Sequence, residues 1–111
     1  MAPIPPEVKA ELLADPRMKV CARRDEGNCD GRITWEHAII YAGHQLQEAW
    51  AILGICAYHH AVDRFQDCGD LDKAKHEWLA LRQAPPGRLR EMSKAVNYEQ
   101  KLKYLNTIYA N

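Results

Sequence analysis

Apolar and polar residues change their spacing along this chain, and each change marks an element. Pro5-Pro6 followed by Glu7 and the run to Leu13 predicts a short helix, because proline suits a first turn and glutamate complements the helix start; Asp15-Pro16 ends it. Lys19 to Cys29 reads as strand or loop running into a turn at Asp25-Glu26-Gly27-Asn28. After a second turn at Asp30-Gly31, the β-branched and aromatic run Arg32-Ile33-Thr34-Trp35 predicts a strand. Apolar residues resume at Ala38-Ile39-Ile40-Tyr41 until Gly43 interrupts, and the unbroken apolar run Ala49 to Ile55 predicts the partner strand.

Helical spacing begins at Ala57, with Ala61, Val62 and Phe65 leading towards Cys68-Gly69. Asp70 is placed as N-cap of a helix from Leu71 to Gln83 that carries Ala74, Trp78 and Leu81 on one face, and Ala84-Pro85-Pro86-Gly87 stops it. A last helix is predicted over Ser93 to Tyr109, with Val96, Leu102, Leu105 and Ile108 as its apolar positions. Strands between helices make the expected class α+β, and 111 residues suit a single domain with a modest core that a structural metal would help to fix.

Charge alters this picture little. Fifteen basic and fifteen acidic side chains cancel, which weighs against a protein that coats nucleic acid through bulk electrostatics. The distribution is uneven: basic residues dominate around Arg23-Arg24 and again from Arg82 to Lys103, with Asp63, Asp67, Asp70, Asp72 and Glu77 between them. That pattern allows local phosphate contact, although solvated surface is the default for such runs. No run is apolar enough to span a membrane, and the start of the chain lacks the features of a signal peptide, so a cytoplasmic protein is expected, with its cysteines reduced.

The chemistry gathers in one window. Cys21 and Cys29 flank the first turn with seven residues between them, and Cys56 and His59 have the two-residue gap of a metal-binding pair. Three thiolates and an imidazole would close a tetrahedral zinc site with no position open for substrate, which is a structural site. Buried free thiols are the plainer alternative for any one cysteine, but two pairs beside turns favour zinc. Cys68 is a spare, either a buried thiol or a replacement for His59.

Glu36, His37 and His60 then remain for other work. Glu36 and His60 could hold a divalent ion, with His37 removing a proton from an attacking water, as metal-assisted phosphodiester hydrolysis requires. Neighbours on a strand point to opposite faces, so joint action of Glu36 and His37 calls for a bulge or bend. His44 and His76 read as ordinary exposed histidines with no task. Tyr98, Tyr104 and Tyr109 are spaced for core packing rather than for stacking on bases.

These residues together resemble the zinc-containing HNH, or ββα-metal, nuclease family. Trp35-Glu36-His37 is similar to its acid-histidine element on the first strand, and Leu53-Gly54-Ile55-Cys56-Ala57-Tyr58-His59-His60 to its second strand and helix start, with His59 in place of the usual cysteine. The resemblance covers Lys19 to Phe65. It implies a treble-clef-like zinc core over residues 19–68, with helices added at the N-terminus and over 70–111. Cys21, Cys29, Cys56 and His59 would be the structural zinc ligands. His37 would be the general base, and Glu36 and His60 the ligands of a catalytic Mg2+, Mn2+ or other divalent ion. The family's middle asparagine has no counterpart in Glu48 to Ile52, where Glu48 is the candidate substitute. The implied function is a metal-dependent DNA endonuclease of phage or prophage type. The alternative is a catalytically inactive zinc module that binds DNA or a protein, the latter through the C-terminal helices.

Overall fold

The computed structural model describes residues 4–60 and 69–110. Helix α1 (Pro6–Ala14) begins at proline and ends at Asp15, whose carboxylate accepts from Arg17 N at 3.0 Å and so opens a single 3-10 turn over Pro16–Lys19. A second such turn, Arg24–Glu26, carries the chain into the reversal at Gly27-Asn28. The segment between Lys19 and Cys29 therefore holds turns and no strand.

Strand β1 (Ile33–His37) pairs antiparallel with β4 (Ile52–Cys56), Ile33 opposite Cys56 and His37 opposite Ile52. All five β4 residues are buried, whereas β1 is half-buried throughout, as expected for an apolar run facing a more alternating one. Between the two strands lies a small hairpin, β2 (Ile40–Tyr41) with β3 (His44–Gln45), closed by Ala42-Gly43, both at positive φ. A primed two-residue turn of that kind matches the twist of its flanking strands. A 3-10 turn over Ala49–Ala51 then leads into β4, so the apolar run forms strand only in its second half.

Cys56 passes directly into helix at residues 57–60 (α2). The predicted continuation through Ala61, Val62 and Phe65 to Cys68 lies outside the described residues, as does any role of Cys68. Helix α3 (Gly69–Leu81) already contains Asp70, which is therefore not its cap. The helix predicted from Ser93 starts only at Tyr98, as α5 (Tyr98–Tyr109), and a short helix not predicted, α4 (Arg88–Met92), precedes it. Ser93 divides them, its hydroxyl donating to Leu89 O at 2.6 Å and accepting from Tyr98 N at 2.9 Å, and Asn97 caps α5 through Gln100 N.

The main core joins Leu53 and Ile55 of β4 to Trp78, Leu81, Met92, Tyr98 and Leu105 of the C-terminal helices. A smaller cluster of Leu12, Met18 and Ile52 seats α1 on the other side of β4. Val96 and Ile108, expected to be apolar contacts, are exposed. Two small-residue positions bring the Cys21 segment onto the strand. A side chain at Gly54 would meet Met18 Cα at 3.3 Å, and one at Gly31 would stand 2.6 Å from Ala57 Cβ. Because both are glycine, Ala22 N reaches Gly54 O, and Tyr58 N reaches Asp30 O. Among the described residues no helix is long and apolar enough to cross a membrane.

Candidate functional site

Those two close approaches place the chain around Cys21 and Cys29 beside the junction of β4 and α2. Cys21, Cys29 and Cys56 converge on His59, with their sulfurs 3.3, 3.7 and 3.2 Å from its Nδ1. All four ligand atoms lie within 4.8 Å of one another. Bonds of about 2.0–2.3 Å to one tetrahedral zinc would put ligand atoms roughly 3.5–4 Å apart, so the donor set and its spacing fit zinc. Cys21, Cys56 and His59 are buried and Cys29 is exposed.

Proton affinities within the cluster are uneven. The Cys29 thiol is pushed up to about 11 by desolvation and by its two neighbouring thiols. Burial also raises Cys56, but backbone hydrogen bonds from His59 and Asp30, followed by the Cys21 and Cys29 side chains, outweigh it and hold this thiol below its ordinary value. Crowded thiols that resist joint ionisation are relieved by a cation between them. The cluster could hold a metal ion and is consistent with zinc.

The second group forms around β1. Thr34 and Glu36 alternate onto one side of the strand, and His60 of α2 stands against that side. His60 Nδ1 lies 2.6 Å from Thr34 Oγ1, and Thr34 Oγ1 donates to Ile55 O at 2.8 Å. A hydroxyl has one proton, so Thr34 accepts from His60 and the imidazole proton sits on Nδ1. In the neutral ring, Nε2 then points a lone pair at Glu36 Oε2, 3.1 Å away. Two acceptors facing each other are held together by a proton or by a bound cation. A divalent ion suits an imidazole nitrogen and a carboxylate oxygen.

His37 ends the strand. Its Nε2 donates to Gln47 Oε1 at 2.9 Å, which leaves Nδ1 as the lone-pair nitrogen. That Nδ1 is buried and, among the described residues, has no hydrogen-bond partner. Pairing of β1 with β4 is one-to-one from Ile33 to His37, without the bulge expected to bring Glu36 and His37 together. Instead, a cleft of 780 Å3 lies at the end of the strand and is lined by both residues.

Several contributors had no sequence signal strong enough to single them out. Thr34 could have been found, since it shares a strand face with Glu36 two residues on. Gln47 could not, because nothing local marks which loop residue returns to His37. Glu48, the candidate substitute for the family asparagine, is engaged elsewhere: it accepts from Trp50 Nε1 at 2.8 Å and from Arg88 Nε at 2.8 Å, and the Arg88 guanidinium holds its carboxyl below the usual range. His76 is buried, with Nε2 3.3 Å from Arg23 Nη1. Tyr98 is in the core and Tyr109 stacks near Trp78, as their spacing predicts, but Tyr104 is 64% exposed.

No family model, curated protein or solved structure matches this chain.

Proposed function

We propose that the chain is a metal-dependent endonuclease of the HNH type, in which a zinc-built framework carries a separate hydrolytic site. The observation that carries this reading is the Glu36–His60 pair, 3.1 Å apart, with Glu36 and His37 both lining one cleft. The order β1, β4, α2, with the cysteine and histidine ligands at one end and the acid-histidine pair on the first strand, supports the family resemblance.

Each residue then has a defined task. Gln47 holds the His37 ring in the tautomer whose lone pair is on Nδ1, and His37, which lines the cleft, is the residue that takes the proton of the attacking water. Thr34 fixes the His60 ring so that Nε2 and the Glu36 carboxylate face one point. A divalent ion bound there would stabilise charge on the scissile phosphate and on the leaving oxygen. Cys21, Cys29, Cys56 and His59 hold the zinc that fixes α2 to the Cys21 segment and thereby positions His60, the next residue after a zinc ligand.

Metal analysis combined with a plasmid-nicking assay tests this. Wild-type protein is expected to carry one zinc and to nick plasmid DNA with added Mg2+ or Mn2+, and His37→Ala to lose about 100–10,000-fold in rate while keeping its zinc. A wild type that binds zinc and DNA but cuts nothing with either ion is the inactive module instead.

A further inference from the structure

The cleft beside Glu36 is closed on its far side by the C-terminal helices, which lie outside the nuclease resemblance. We propose that this cleft takes an unpaired nucleotide, with its base seated between Ile40 and Tyr104 and neighbouring phosphates on Lys73 and Lys101. The substrate would then be single-stranded or locally unpaired nucleic acid rather than intact duplex. This rests on the nuclease reading of Glu36, His37 and His60, of which Glu36 and His37 line the cleft and His60 contacts Glu36.

Two observations carry it. The first is the placement of apolar surface. Tyr104 on α5 is 64% exposed and Ile40 on the β2–β3 hairpin is 59% exposed, yet both line this one cleft. Tyr104 precedes buried Leu105, so the helix already has its core face and Tyr104 adds nothing to it. Large apolar side chains left exposed around one cavity mark a contact site, and a flat ring beside an aliphatic group suits the two faces of a base. The volume of 780 Å3 lies within the roughly 300–1,000 Å3 of cavities that enclose a small ligand.

The second is charge. Duplex binding gains most of its affinity by neutralising many backbone phosphates. Here the chain has no net charge, and the cleft sets Glu36 and Glu77 against Lys73 and Lys101. Lys101 is already 2.9 Å from Glu77. Two lysines can steady a phosphate or two, but they cannot supply a duplex-binding surface. Stacking on an exposed ring is largely independent of net charge, so it is the interaction this cleft offers most readily.

The test uses the full zinc-loaded chain with Mn2+ and four substrates: a labelled single strand, its matched duplex, the duplex with a central unpaired loop, and bis(p-nitrophenyl) phosphate, a phosphodiester with no base. Wild type is expected to cleave the single strand and the loop at least 10-fold faster, in kcat/KM, than the duplex. Tyr104→Ala should lose about 10–100-fold on the single strand, mostly through KM, and at least 10-fold more than it loses on bis(p-nitrophenyl) phosphate. Tyr104→Phe, which keeps the ring, should recover at least half of the wild-type value. Preference for the matched duplex, or a Tyr104→Ala variant that cleaves the single strand as well as wild type, overturns the inference and leaves the nuclease reading standing. A wild type that hydrolyses none of the four overturns both.

Discussion

The 2.9 Å hydrogen bond between His37 Nε2 and Gln47 Oε1 decides which ring nitrogen of the candidate base is free. An amide oxygen accepts the Nε2 proton and so keeps Nδ1 as a lone pair. Gln47→Leu should therefore lower the rate by about 10–100-fold, the range seen when the partner orienting a metal-bound histidine is removed. Gln47→Glu, which still accepts from Nε2, should retain more activity than Gln47→Leu. Equal loss in the two variants, measured as kcat for plasmid nicking, would show that Gln47 only fills space.

Removing zinc should unfold the chain. Apparent binding energies of structural zinc reach about 10–16 kcal/mol, comparable to the roughly 5–15 kcal/mol total stability of a domain. Cys21 is 4% exposed and belongs to the main core, so Cys21→Ser should abolish zinc binding together with the cooperative thermal transition. Cys29 is exposed, unlike Cys21 and Cys56, and desolvation and its neighbouring thiols push its thiol up to about 11. Cys29→Ser should fold in excess zinc, with weaker affinity than wild type. Circular dichroism melting with and without a chelator separates the two variants. A Cys21→Ser protein that melts like wild type would remove zinc from the account of the fold.

How far the sequence spoke depended on the range of the interaction. The β1–β4 pair was legible because a β-branched run and a wholly apolar run announce half-buried and buried strands. The Cys21, Cys29, Cys56 and His59 cluster was legible because metal-ligand chemistry restricts such a set to cysteine and histidine beside turns. The β2–β3 hairpin was not, since Ile40-Tyr41 and His44-Gln45 are too short for a period and Ala42 is an unusual residue at positive φ. The short α4 and the late start of α5 were hidden because Ser93, not a glycine or proline, takes over the backbone bonds between them. The pairing of Glu48 was hidden for the same kind of reason: its partner Arg88 is forty residues away, and no local pattern carries that contact.

Arg23 and Glu26 give a pH dependence of stability. Arg23 is 5% exposed, and its Nε and Nη2 lie 2.7 and 2.8 Å from the two Glu26 oxygens. This contact is the largest cause that holds the Glu26 carboxyl down at about 2, against burial, and Lys75 adds to it. Because the folded value lies below the ordinary 4.5, the stabilisation is fully present above that value and is lost as pH falls towards about 2. Glu26→Gln should lower the melting temperature at neutral pH, and the gap from wild type should narrow as pH falls below about 5. Taking the difference between the two proteins removes the effect of acid on zinc, which is common to both. A gap that is constant or widening with acid would show that the carboxylate is not the stabilising group.

Thr34 should act on metal affinity rather than on the chemical step. Its hydroxyl donates to Ile55 O and accepts from His60 Nδ1, so it fixes both the tautomer and the angle of the ring whose Nε2 faces Glu36. Thr34→Val keeps the shape and β-branching that the strand uses but removes the acceptor. His60 Nδ1 then loses its partner, and the ring is free to turn or to move its proton to Nε2, where it would occupy the lone pair meant for the ion. Loss of such a supporting hydrogen bond typically weakens metal binding by about 10–100-fold. The half-saturating Mn2+ concentration for plasmid nicking should rise by that factor in Thr34→Val, and the rate at saturating Mn2+ should stay near that of wild type. Thr34→Ser, which restores the hydroxyl, should bring the half-saturation back down. If Thr34→Val instead lowers the rate at saturating Mn2+ and leaves the half-saturation untouched, then the Glu36–His60 pair is closed by a proton and the ion is held elsewhere.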